Sequence, residues 1–147
     1  HQSTPNEQQQ QQQQQSAVTQ QSRPIIMTFH DLGLNSELQF ATFCECDEVK
    51  LMLQTFTMIH VNFIGQEFDN QTTQTPASSL PDDFKYPSVE QMAECIVDIC
   101  AQLRVRSFVA LAVGAGAHIV SSLALIRPDL VHGLFLINPV VSSCSIT

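Results

Sequence analysis

The chain has 147 residues, 44% of them hydrophobic, with only 6 lysines and arginines and a formal net charge of −8. The few basic residues form no stripe, which argues against nucleic acid and acidic lipid surfaces as partners. No window approaches the roughly 18 uninterrupted apolar residues of a membrane span, so no transmembrane segment is expected.

Residues 1–22 read "HQSTPNEQQQQQQQQSAVTQQS", with an unbroken glutamine run from Gln8 to Gln15. Almost nothing there can be buried, and burial cannot offset roughly 1–2 kcal/mol of backbone entropy per residue. The expectation is a disordered, low-complexity arm. It lacks the arginines of a transit peptide and the apolar centre of a signal peptide. A chain that opens on His1 also reads as a fragment or a processed product. Residues 23–147 are the expected folded unit, long enough to bury a core.

The first apolar run, "PIIMTFH" (24–30), reads as a strand. A weaker helical pattern follows over 36–54. A second strand, "FTMIHVN" (56–62), leads into the long polar stretch "IGQEFDNQTTQTPASSLPDDFKY", of a length often functional or variable. "YPSVEQMAECIVDICAQL" is the clearest helix: Val89, Met92, Ala93, Ile96, Cys100 and Leu103 make one apolar stripe. Ser88, with Gln91 three residues on, is a capping-box start. "SFVALAV" (107–113) has no polar alternation, as suits a parallel strand covered on both faces. "GAHIVSSLALIR" is the next helix, stopped by Pro128, and "VHGLFLIN" (131–138) is the last strand. Strands alternating with helices predict an α/β fold built from right-handed βαβ units, with a mostly parallel sheet and helices on both faces. Only nine residues follow the last strand, which would leave its outer edge bare. A fold that continues in a longer protein is therefore expected.

Five cysteines, Cys44, Cys46, Cys95, Cys100 and Cys144, fall in C-x-C and C-x4-C spacings. Neither suits a zinc ribbon or a redox C-x-x-C, so they read as reduced thiols of a cytosolic protein. No metal site and no cofactor is expected.

The stretch with chemical promise is "FVALAVGAGAHIV" (108–120), a buried strand turning into a helix at glycines. A dinucleotide fingerprint would need a third glycine where Ile119 stands, and an acidic residue at the end of the next strand, which instead ends in Ile137 and Asn138. A nucleophile elbow, G-x-S-x-G, counted from Gly114, places its nucleophile on Gly116 and its last glycine on His118. Glycine cannot attack a carbonyl, Ser121 and Ser122 lie too far along, and the acid and histidine partners would have to come later. His118 reads as a packed or capping residue. In "FHDLG" (29–33), Asp31 stands where a hydrolase needs an oxyanion donor, and its carboxylate opposes developing negative charge. His30 and Asp31 are adjacent on a strand end and point to opposite sides, so turn and cap roles are expected rather than a catalytic pair. The remaining reading is a tight turn in which Gly114 and Gly116 let the helix press on the sheet.

Four blocks, "TFHDLGLN" (28–35), "YPSVEQMAECI" (86–96), "VGAGAHIV" (113–120) and "ALIRPDLVHGLFLIN" (124–138), resemble the N-myc downstream-regulated (NDR) family in the family's order. The resemblance implies a partial α/β-hydrolase-like fold without hydrolase activity, and a role in cytoplasmic signalling, stress response, growth control and differentiation through protein partners. It carries a degenerate elbow onto Gly114, Ala115, Gly116 and Ala117, with His118 where the family often has an aromatic residue. It carries a degenerate oxyanion loop onto His30, Asp31, Gly33 and Asn35. The family's opening strands, cap, last strands and basic serine-rich tail have no counterpart here, and the cap would contribute any pocket for a small ligand. The alternatives are a divergent hydrolase that recruits another nucleophile such as Cys144, and a degenerate small-ligand sensor.

Overall fold

The structure, a computed structural model, describes residues 23–66, 80–81 and 83–140. The glutamine arm, most of the long polar stretch and Cys144 lie outside those residues. Among the described residues, eight elements follow one another: β1 (Ile25–Phe29), α1 (Ser36–Glu45), α2 (Asp47–Met52), β2 (Thr57–Val61), α3 (Val89–Gln102), β3 (Phe108–Val113), α4 (Ala115–Ile126) and β4 (Val131–Ile137).

The strands form one sheet in the order β2-β1-β3-β4, every neighbouring pair parallel. Phe29, the last residue of β1, pairs with Val61 of β2 and Ala112 of β3. The carboxyl ends of these three strands therefore finish side by side, and the loops that leave them meet there.

Side-chain alternation along β1 sorts the helices onto two faces. Met27 meets Cys100 of α3, with the two sulfurs 4.0 Å apart. Its neighbour Thr28 points the other way and bonds His60 at 2.6 Å, and that imidazole stacks on Phe40 of α1. The main core lies on the α3 and α4 side. Met27, Phe29, Ala110 and Ala112 of the sheet are fully buried against Ala93, Ile96 and Cys100 of α3 and Ala117, Val120 and Leu123 of α4. The small Ala110 and Ala112 leave room for α4 over the middle of the sheet, and Phe29 and Phe108 fill the space beside them. Burying a side chain such as Phe29 contributes about 1.5–3 kcal/mol.

The capping box expected at Ser88 is present: Ser88 Oγ accepts from the Gln91 N–H, and Gln91 Oε1 accepts from the Ser88 N–H. The single helix expected over 36–54 is instead two. Cys46 turns extended, with φ −63° and ψ 135°, and separates α1 from α2. The acids around it explain the break. Asp47 and Glu48 thereby fall in the first turn of α2, where they face a helix N-terminus.

Strand β4 is the least covered element of the sheet. Leu134, Phe135 and Ile137 are exposed, as are Leu125 and Ile126 at the end of α4.

Candidate functional site

The corner between β3 and α4 is built on two glycines with different duties. Gly114 is the vertex: φ is +53° and ψ is −116°, and α4 begins at the next residue. L side chains rarely adopt that backbone. A Cβ built on Gly114 would also fall on the Asp31 carboxylate. Gly116 lies inside the first turn of α4, where a Cβ would stand 2.6 Å from the carbonyl oxygen of His30 and 2.7 Å from that of Phe29. Those are backbone atoms of the central strand and the residue after it, and they have no room to yield. Counting along the sequence puts the nucleophile slot on Gly116, and the structure corrects that register. The strained strand-to-helix vertex, where an elbow presents its nucleophile, is Gly114, while Gly116 is the close-packing glycine two residues on. The signal for the shift was available in the run of strand residues to Val113, which leaves only Gly114 for the turn. Ala115 follows the vertex, Ala117 is fully buried, and the half-buried His118 donates its N–H to the Gly114 carbonyl at 3.3 Å.

The loop after β1 packs against this corner. Asp31 Oδ1 accepts from the N–H of Ala115 at 2.8 Å and from the N–H of Leu32 at 2.8 Å. Gly114 has no side chain with which to cap α4, so a residue 84 positions earlier satisfies the first amide of the helix. His30 points the opposite way and is fully buried. Its Nδ1 lies 2.8 Å from the Asp31 carbonyl oxygen, and its Nε2 lies 3.1 Å from the Phe63 nitrogen. A carbonyl only accepts and an N–H only donates, so the proton is on Nδ1 and the ring is neutral. Burial lowers the His30 pKa, with the Asp31 carbonyl and the Asp31 charge opposing it. A neutral ring with both nitrogens engaged inside the fold has none left for general base work at the corner.

The other backbone amides of the loop are also engaged. Gln39 Oε1 accepts from the Asp31 N–H at 3.3 Å, Gln66 Oε1 from the Gly33 N–H at 2.8 Å, and the Asp31 carbonyl from the Leu34 N–H at 3.3 Å. Asn35 is the N-cap of α1, its Oδ1 accepting from the Leu38 N–H at 2.9 Å, and Asn62 Oδ1 takes the Ser36 N–H at 2.7 Å. Sequence reasoning missed Gln39, Asn62 and Gln66. An isolated amide side chain carries no motif, and only the burial of Gln66 reveals its task.

Among the described residues, no cluster of three or more histidine, cysteine or acidic side chains could hold a metal ion, and no helix is long and apolar enough to cross a membrane. On the other face of the sheet lies His60, whose pKa burial lowers while Glu37 opposes the shift. It lines a cavity of about 260 Å³ with Glu37, Phe40 and Cys44. Burial raises the Cys44 thiol pKa, and Glu37 adds to the rise, which disfavours the nucleophilic thiolate.

A parallel sheet that feeds a helix through a positive-φ vertex, with a loop from the neighbouring strand closing on it, is the architecture of an α/β-hydrolase-like protein. Solved structures share it. A carboxylesterase from Nitrososphaera gargenis matches 81% of this chain and 38% of its own with a TM-score of 0.61 at 16% identity. A probable hydrolytic enzyme from Pseudomonas aeruginosa matches 81% and 33% with a TM-score of 0.60 at 19% identity. Such identities establish the fold alone. The Ndr family model matches residues 14–147. Protein NDRG3 of Xenopus laevis is 36% identical over 120 residues, covering 82% of this chain and 30% of the relative. Protein NDRG1 of Xenopus tropicalis is 38% identical over 117 residues, covering 80% and 28%. The chain belongs to the Ndr family, and it spans under a third of the length of these relatives.

Proposed function

We propose that this protein is a non-enzymatic member of its family that works through protein partners in cytoplasmic signalling linked to growth, differentiation and stress response. The observation that carries the non-enzymatic part is Gly114 at the vertex of the corner. An acyl-transfer enzyme of this fold needs a hydroxyl or thiol there, and a side chain at that point would collide with Asp31. The degenerate elbow thus comprises Gly114, Ala115, Gly116, Ala117 and His118, and the degenerate oxyanion loop His30, Asp31, Gly33 and Asn35. The signalling role, the partners and the location rest on family resemblance. The test is to treat the complete protein with a fluorophosphonate serine-hydrolase probe. No labelling is expected, and stoichiometric labelling at a residue of this corner would sink the reading.

A further inference from the structure

In α/β-hydrolases the oxyanion pocket is formed by the backbone N–H of the residue after the nucleophile and by an N–H from the loop after the neighbouring strand. In this chain those places fall on Ala115, next to the vertex, and on the loop that leaves β1. One N–H from each, Ala115 and Leu32, converges on a single oxygen, Asp31 Oδ1, at 2.8 Å in both cases. That oxygen stands at the head of the 12-residue helix α4, whose dipole favours negative charge. A carboxylate oxygen held by two convergent amides reproduces the charge and contacts of the oxygen that develops on a carbonyl under attack. The Asp31, Gly33 and Leu34 amides of the loop are bonded elsewhere, so they do not compete for this oxygen.

We propose that Asp31 is a resident oxyanion: an autoinhibitory contact in which the chain's own carboxylate fills the pocket and shuts it to carbonyl and carboxylate ligands. The bare Cα of Gly114 admits it, since a Cβ there would occupy the space of the carboxylate. The corner is closed twice, by the lack of a nucleophile and by an occupied anion pocket. A hydroxyl installed at the vertex would meet Asp31 before it met a substrate. This rests on reading the corner as a hydrolase-type elbow.

The test uses the complete protein, with formate as the probe for the emptied pocket and chloride at equal ionic strength as its control. Asp31→Gly is expected to lower Tm by several degrees. Formate should restore part of that loss along a saturating curve and leave the parent protein unmoved. Gly114→Ala should lower the Tm of the parent and cost measurably less in the Asp31→Gly background. A flat formate titration together with additive effects of the two substitutions would overturn the proposal. Should Asp31→Gly not fold, Asp31→Asn carries the test, because it keeps an acceptor oxygen and loses the charge. A Tm below that of the parent supports a resident anion, and a Tm equal to it overturns one. The two readings fail separately: probe labelling sinks the non-enzymatic reading, whereas a flat formate titration together with additive substitutions sinks the resident oxyanion alone.

Discussion

The carboxyl edge of β1 and β3 and the outer strand β4 belong to one sheet but are finished in opposite ways. At the edge, the Asp31, Leu32 and Gly33 amides, the first helix amide and both nitrogens of His30 are bonded within the chain. On β4, apolar side chains face water, with Phe135 67% exposed. The edge is where an enzyme of this fold keeps donors free for a substrate, and here they are consumed. The difference teaches that the corner is closed by bonds within this stretch, whereas β4 leaves apolar side chains uncovered.

The largest test of that contrast is Gly116→Ala. The added methyl would press on two backbone carbonyls of the central strand region, so a loss of more than about 3 kcal/mol is expected in urea unfolding. A loss under about 1 kcal/mol would show that the corner is looser than its contacts imply.

Removing the histidine brace comes next. His30→Ala strands the buried Phe63 N–H and the Asp31 carbonyl, and leaving such groups unpaired costs about 1–3 kcal/mol each. The same residue sets a pH dependence. Burial holds its folded pKa below the ordinary histidine value of 6.5, and that of His60 too. Below that value the unfolded chain binds more protons than the folded one. Stability is therefore fully present above 6.5 and is lost as pH falls through it toward the lowered folded values. Urea midpoints at about pH 7.5 and about pH 5.5 should show the lower value in acid, and His30→Gln should flatten the difference.

Smaller effects probe single caps. Asn35→Ala removes the cap of α1 beside the corner, and Ser88→Ala breaks the capping box of α3 away from it. Each should cost about 1 kcal/mol by thermal unfolding. Asn35 has the larger expected loss because it is 3% exposed. At the small end, Phe135→Lys on β4 should change the unfolding free energy of the 147-residue chain by less than about 0.5 kcal/mol. The same change should reduce self-association in light scattering, since it places a charge on an apolar edge strand. A stability loss as large as that of Gly116→Ala would erase the contrast between the two regions.

Local signals made much of this legible. The periodicity of α3 and the Ser88–Gln91 pair gave that helix and its first turn, because capping and stripe formation use residues within a few positions of one another. The continuous run at β3 announced a strand for the same kind of reason, although only the face of Phe108, Ala110 and Ala112 is fully buried. The break at Cys46 was hidden, since α1 and α2 share a weak apolar pattern and only the backbone of one residue separates them. The elbow register was misread by counting glycines. The duty of Gly116 follows from the carbonyls of Phe29 and His30, which are distant in sequence.

By itself the sequence determined the succession of strands and helices, the family, and a glycine-rich corner between β3 and α4. Periodicity, caps and turn residues act over one or two helical turns, and they write themselves into neighbouring letters. Only the tertiary structure decided that β1 lies between β2 and β3, so that Asp31 meets Ala115 across 84 residues. Parallel pairing brings strand ends together regardless of their separation along the chain. That juxtaposition places a carboxylate, rather than a substrate oxygen, on the amides of the corner.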